Sequence, residues 1–365
     1  MTENRTDERP VRAALHPLAR GRDLGEEAAN EAMAAVMEGG VSPVLVAGFL
    51  LGLRAKGETV DEIVGCARAI RARSAPFPGA RHGLVDTCGT GGDGAGTFNI
   101  STTAAFIAAG AGVPVAKHGN RAVSSATGSA DVLEAIGVDV EMDGREASDA
   151  LDAVGITFLF APVYHAAMRH AALVRRELGV RTVFNLLGPL CNPAGASAQV
   201  VGVFDRALVR PVAEALARLG AERALVVHGA DGLDELTITG PTFVAEWDGA
   251  TIREWTIEPE ALGLPRRRVE DLAGGTAEQN AALTRLVLGD VDAAPLPAAD
   301  PAAAQNVAAL NAAAALVVAG RAEDLCDGLD QARRSIASGA ALERLDALVT
   351  FSATARSRRR TPRIE

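Results

Sequence analysis

Residues 86–103 read Asp-Thr-Cys-Gly-Thr-Gly-Gly-Asp-Gly-Ala-Gly-Thr-Phe-Asn-Ile-Ser-Thr-Thr, a glycine-rich stretch between a strand-like run and a helical one. Glycines let the backbone approach a ligand closely, and the unpaired N–H groups of a helix start point toward it. That geometry suits phosphate. Gly89, Gly91 and Gly94 also satisfy G-x-G-x-x-G, so a dinucleotide site and a tight structural turn are the alternatives. A dinucleotide site calls for an acidic residue about 20 positions onward. The chain instead presents Lys117 and His118 at the end of its next strand-like run, and no Gly-Lys-Ser/Thr of a Walker loop follows.

Three further stretches carry chemistry. Lys117-His-Gly-Asn-Arg121-Ala-Val-Ser-Ser125-Ala-Thr-Gly-Ser129 leaves a strand and enters a helix, offering two basic groups, an amide and hydroxyls near a helix start. A packed His118 with serines that merely cap is the bland reading. His228-Gly-Ala-Asp231-Gly-Leu-Asp234-Glu235-Leu follows an apolar strand. Its adjacent carboxylates suit two hard cations, or one held through waters, with Mg²⁺ the natural candidate, although an acidic surface loop reads the same way. Residues 161–179 read as one helix with Met168 and Arg175 on a common face, where an apolar surface beside a guanidinium suits an aromatic carboxylate. An exposed arginine is the alternative there. Residues 185–194, Asn-Leu-Leu-Gly-Pro-Leu-Cys-Asn-Pro-Ala, read mainly as structure that could border an acceptor pocket.

These loops need a scaffold. Residues 13–73 read as three or four helices broken at Gly21, Gly39-Gly40 and Gly57, with Ser42 and Thr59 as N-caps and Pro43 at a first helical position. Residues 74–79, Ser-Ala-Pro-Phe-Pro-Gly, end that region. From Leu84 the short apolar runs LVDT, VPVAK, ITFLF, RTVFN, AQVVGVF and RALVVHG alternate with helical patterns. Near-continuous apolar strands imply burial on both faces, hence a mainly parallel sheet. Residues 237–256 read as an antiparallel hairpin turning at Asp248-Gly249. The fold class is α/β. We expect a helical domain over 13–79, completed by helices within about 163–180, and an α/β domain over 80–350. Residues 1–12 and 356–365 are expected to be flexible tails.

With 365 residues, 48% hydrophobic and 22% charged, the chain can bury a large aliphatic core. A net charge of −10 disfavours nucleic acid and anionic membranes. The four cysteines form no C-x-x-C pair, which fits a reducing cytoplasm and a cytoplasmic protein. The start has no signal-peptide pattern, and no run of 18 apolar residues is expected to span a membrane.

In this order the motifs GTGGDGAGTFNIST, KHGNRAVSSATGSADVLEAIG, VRRELGVRTVFNLLGPLCNPA and VHGADGLDEL closely resemble the anthranilate phosphoribosyltransferases, from about Gly21 to Val349. The resemblance implies a fold similar to the nucleoside phosphorylases, with a small helical domain, a larger α/β domain and the active site between them. It implies that Gly89, Gly92, Asp93, Thr97, Asn99, Ile100, Ser101, Thr102, Lys117, His118, Gly119, Asn120, Arg121, Ala122, Val123, Ser124, Ser125 and Ser129 surround phosphoribosyl pyrophosphate (PRPP). Ser101, Asp234 and Glu235 would meet Mg²⁺, two ions per site, while Gly89, Asn120 and Arg175 would contact anthranilate. A homodimer through the helical domain is implied too. No side chain stands out as a general base. The chain departs from the family at Thr276, often Asp, and at Cys191, often Thr. A pyrimidine nucleoside phosphorylase is the enzymatic alternative, disfavoured by the full glycine loop and paired carboxylates. A nucleic-acid-binding relative would have a degraded glycine loop and a basic surface.

Overall fold

The structure is a computed structural model that describes residues 7–79, 83–122, 127–293 and 299–360. Four helices open the chain: α1 (Arg9–Leu18), α2 (Glu26–Glu38), α3 (Pro43–Lys56) and α4 (Val60–Arg71). Pro43 starts α3 as expected, although Ser42 makes no side-chain cap, whereas Thr59 and Glu62 form a full capping box on α4. Residues 9–12 are not a frayed end. They form the first turn of α1, and Val11 is fully buried.

The α/β part holds a seven-stranded sheet in the order β3-β2-β1-β4-β5-β6-β7. Its strands are β1 (Val85–Thr87), β2 (Val115–Gly119), β3 (Ile156–Phe160), β4 (Ala198–Gly202), β5 (Arg223–Gly229), β6 (Thr242–Trp247) and β7 (Ile252–Ile257). The first five run parallel, and β6 and β7 add antiparallel at one edge. The parallel core strands are buried along nearly their whole length, as the continuous apolar runs require. On β7 the exposed Arg253 and Glu254 guard the free edge. Asp248 closes the β6–β7 turn by accepting from the Ala250 and Thr251 N–H groups.

Helices cover both faces. One core gathers α5 (Ile100–Gly110), α6 (Ser129–Ile136), α7 (Gly144–Val154), α12 (Ala277–Val287), α13 (Pro301–Val318), α14 (Leu325–Ala337) and α15 (Ala340–Arg360). The other joins α1 to α4 with α9 (Arg169–Leu178), α10 (Phe184–Leu190), α11 (Val209–Arg218) and the opposite sheet face. Among the described helices, α13 alone is long and apolar enough to cross a membrane, and most of it is buried against α5, α14 and the sheet.

Three local readings are corrected. RTVFN is not a strand: residues from Phe184 enter α10, whose apolar side chains are buried by packing that overrides their strand propensity. Residues 161–179 are not one helix but α8 (Ala161–Tyr164), a 3-10 turn (Ala166–Met168) and α9. Met168 is therefore the N-cap of α9, half-buried against the helical-bundle core, and its helical backbone leads directly into the turns that carry Arg175. The basic tail is helical through Arg360, with Arg359 paired to Asp139 and Glu146 and bonded to the Glu141 carbonyl. Residues 361–365 lie outside the described residues.

Candidate active site

In this sheet the chain runs outward in opposite directions from β1 and β4, and a ligand crevice is expected beyond the carboxyl ends of such strands. The glycine loop leaves β1 there, and the Asp234-Glu235 loop leaves β5. Gly91 N–H donates to Asp234 Oδ2 at 2.6 Å, and Ser101 N–H, in the first turn of α5, donates to Glu235 Oε1 at 3.2 Å. Two motifs 130 or more residues apart thus share one cluster. Thr87, Cys88, Gly89, Ser101, Gly202 and Glu235 line a narrow cavity, while two larger ones border α15 away from these groups.

Lys117 projects from β2 and is only 4% exposed. Its ammonium donates to the Thr87 carbonyl and, at 3.3 Å, to Ser101 Oγ. Burial raises the Asp86 carboxyl to about 6, and the Lys117 charge opposes that rise. Asp234 is raised well above the ordinary range by burial, and further by repulsion from Glu235 and Asp93. Glu235 is raised by burial against the pull of Lys117.

A buried carboxylate beside a half-buried one, both raised in pKa, fits a hard divalent cation. Among the described residues no three His, Cys, Asp or Glu side chains form a ready metal cage. Mg²⁺ commonly takes one or two carboxylates and completes its shell with water and substrate phosphates.

Of the other expected donor residues, Asn99 sits at the start of α5 and bridges Thr127 and Asn280, giving to the Thr127 carbonyl at 3.3 Å and accepting from Asn280 Nδ2 at 3.0 Å. Thr97 pairs in a bridge with Ala273. Ile100 and Thr102 are buried in α5, and the Ile100 N–H donates to the Phe98 carbonyl at 2.8 Å. His118 is buried: its Nδ1 faces the Gly188 carbonyl at 3.1 Å, and its ring meets His165 edge-on at 5.1 Å. Burial pushes His118 down to about 3 and His165 to about 4, so both are neutral near pH 7. The Asn120 carbonyl accepts from Ser129 Oγ at 3.2 Å. Ala122 N–H donates to Asp131. Arg121 is held in ion pairs with Asp131 and Glu134. Val123, Ser124 and Ser125 lie outside the described residues.

Arg175 is half-buried over the Phe184 ring, 4.8 Å from its centroid, and burial lowers its pKa. Its guanidinium has no acidic partner among the described residues, which suits a ligand carboxylate.

Sequence reasoning assigned no role to the supporting groups. Asp86 accepts from His118 N–H and from Asn192 Nδ2, and Asn192 also donates to the Ala116 carbonyl, so the loop after α10 anchors β1 and β2. Thr276 supplies a capping box for α12, so its departure from the family pattern is structurally satisfied. Cys191 is buried and pushed up to about 12, an inert thiol.

The a/b domain model of a glycosyl transferase family matches residues 81–342, and the helical bundle domain model of the same family matches residues 12–74. The anthranilate phosphoribosyltransferase of Moorella thermoacetica is 52% identical, over 93% of this chain and 98% of that one. The crystal structure of the Thermus thermophilus anthranilate phosphoribosyltransferase superposes with a TM-score of 0.85 at 48% identity, covering 93% of this chain and 99% of that one. The Saccharomyces cerevisiae enzyme, in complex with PRPP and Mg, also gives a TM-score of 0.85, at 26% identity over 96% of this chain and all of that one. Matched along nearly its whole length, the chain belongs to the anthranilate phosphoribosyltransferases within that glycosyl transferase family.

Proposed function

We infer that the chain transfers the 5-phosphoribosyl group of PRPP to the amine of anthranilate, giving N-(5-phosphoribosyl)anthranilate and pyrophosphate in tryptophan biosynthesis. The observation that carries this reading is the meeting of the glycine loop, the α5 start, Lys117 and the adjacent Asp234 and Glu235 at the carboxyl ends of the sheet. Glycine-loop and α5 amides face the donor phosphates, and Lys117 adds fixed positive charge. Ser101, Asp234 and Glu235 would hold Mg²⁺, two ions per site, which supplies charge to stabilise the departing pyrophosphate. Arg175 and Asn120, with Gly89 at the junction, orient the acceptor, whose neutral arylamine attacks C1 of the ribose without need of a general base. The remaining donor residues, including Gly92, Asp93, Gly119 and Ser124-Ser125, complete the PRPP site.

We read residues 13–79, completed by helices within about 163–180, as the helical unit and residues 80–350 as the PRPP-binding catalytic unit, with the active site between them. We place the protein in the cytoplasm as a homodimer through the helical unit, a reading supported by the exposed apolar Val44 and Leu51 of α3 and Leu173 of α9. Purified protein with PRPP, anthranilate and Mg²⁺ should consume anthranilate fluorescence. Unchanged fluorescence would remove the assignment.

Arg175→Ala should raise the KM for anthranilate by about tenfold or more, as expected from loss of a charge-assisted contact, while the KM for PRPP changes far less. Equal loss for both substrates would remove Arg175 from the acceptor site.

A further inference from the structure

Between Cys88 and Asn99 the glycine loop has no regular structure beyond the bridge at Thr97. Its two ends are tied down. Cys88 N–H donates to the Val200 carbonyl and Thr90 N–H to the Gly202 carbonyl, at 3.1 and 2.9 Å; at the far end Phe98 N–H donates to Leu272 and Gly274 N–H to Gly96. In between, the Gly92 carbonyl accepts from the guanidinium of Arg181, its one partner among the described residues. Arg181 stands in the exposed turn between α9 and α10 and also stacks on Phe204, 4.2 Å from the ring centroid. Phe204 closes the circuit, because its N–H donates to Thr90 Oγ1 at 3.1 Å.

We propose that Arg181 is a positioning residue for the PRPP-binding loop: it does not touch substrate, but clasps Gly92 so that the loop is already shaped when the donor arrives. Gly91 and Gly92 have φ of 67° and 77°, a left-handed backbone that glycine adopts freely and therefore loses much entropy in fixing. Holding one carbonyl removes part of that cost before binding. It also sets direction. In a trans peptide the C=O and the next N–H point to opposite sides, so an arginine gripping the Gly92 oxygen from the surface turns the Asp93 N–H the other way. Because Arg181 follows Arg175 on the same segment, donor loop and acceptor helix are strapped together, and only arginine can stack and donate at once.

The proposal rests on the PRPP reading above. Arg181→Ala should raise the KM for PRPP about fivefold, the effect of one charge-assisted hydrogen bond with its stacking at an exposed position. The kcat, the KM for anthranilate and the melting temperature should stay near wild type. Arg181→Lys, which donates but cannot stack as a plane, should fall between. Calorimetric titration with PRPP and Mg²⁺ separates the two layers of inference. No binding by the wild type would remove the PRPP reading, whereas wild-type binding matched by Arg181→Ala would overturn the clasp alone. Parallel rises in both KM values with a lower melting temperature would also overturn it, leaving Arg181 as general scaffolding.

Discussion

Asp234→Asn is expected to leave the metal-free fold at least as stable as wild type while lowering kcat/KM by about 10²-fold or more, the scale on which removal of preorganised electrostatic stabilisation acts. The stability half follows from sign. Burial, with Glu235 and Asp93 nearby, raises the Asp234 pKa well above its unfolded value, so its charge costs folding free energy as pH rises above the unfolded pKa. Asparagine carries no charge and can still accept from Gly91 N–H, now made to Asp234 Oδ2 at 2.6 Å. The activity half follows because an amide is a far weaker Mg²⁺ ligand than a carboxylate. Melting temperature without metal and steady-state kinetics with Mg²⁺ check the two halves. A variant that is both less stable and fully active would refute the reading of this pair.

The same pair predicts a pH dependence. Glu235, pushed up to about 7, holds a proton in the metal-free state below that value, and a cation must displace it. Apparent Mg²⁺ affinity in the wild type should therefore weaken from about pH 8 to about pH 6. In Asp234→Asn one of the two protons a cation must displace is gone, so the weakening should be shallower.

Much of this site was readable in the sequence because its parts are local. Glycines beside a helix start and carboxylates after an apolar strand declare their chemistry within a dozen residues. The parallel strands were legible for a related reason, since burial on both faces leaves an uninterrupted apolar run such as ITFLF. What escaped depends on contacts distant along the chain. Thr182, Val183 and Phe184 look like a strand, yet the space beside α4 and α11 accepts a helix, and packing decides. Arg181 lay inside that misread run, and its partner Gly92 is 89 residues away. Asp86 and Asn192 are 106 residues apart, and neither alone marks the other. The arginines of 356–360 resemble a solvated tail until Asp139 and Glu146 are brought beneath Arg359 by the fold.

Gly202→Ala should be far more damaging to the fold than Gly89→Ala, although both glycines face the same aspartate. A Cβ on Gly202, at the end of β4, would overlap the Asp234 backbone carbonyl and crowd its Cα. Backbone cannot swing aside as a side chain can. The β5–β6 segment carrying Asp234 and Glu235 must shift, and its lower portion is fixed by Asn311, which accepts from Leu236 N–H and donates to the Leu236 carbonyl. Gly202→Ala should thus cost about 3 kcal/mol or more, at the severe end of overpacking, together with nearly all activity. A Cβ on Gly89 instead meets chiefly the Asp234 carboxylate oxygen, the far end of a side chain that can rotate. That rotation sacrifices the bond from Gly91 and misaims the metal ligand, so Gly89→Ala should lose about 1 kcal/mol of stability yet about 10²-fold in activity. Thermal unfolding and kcat/KM measured on both variants decide the matter. If Gly202→Ala melts like wild type, or if Gly89→Ala retains full activity, the close approach of the glycine loop and β4 to Asp234 is not what shapes this site.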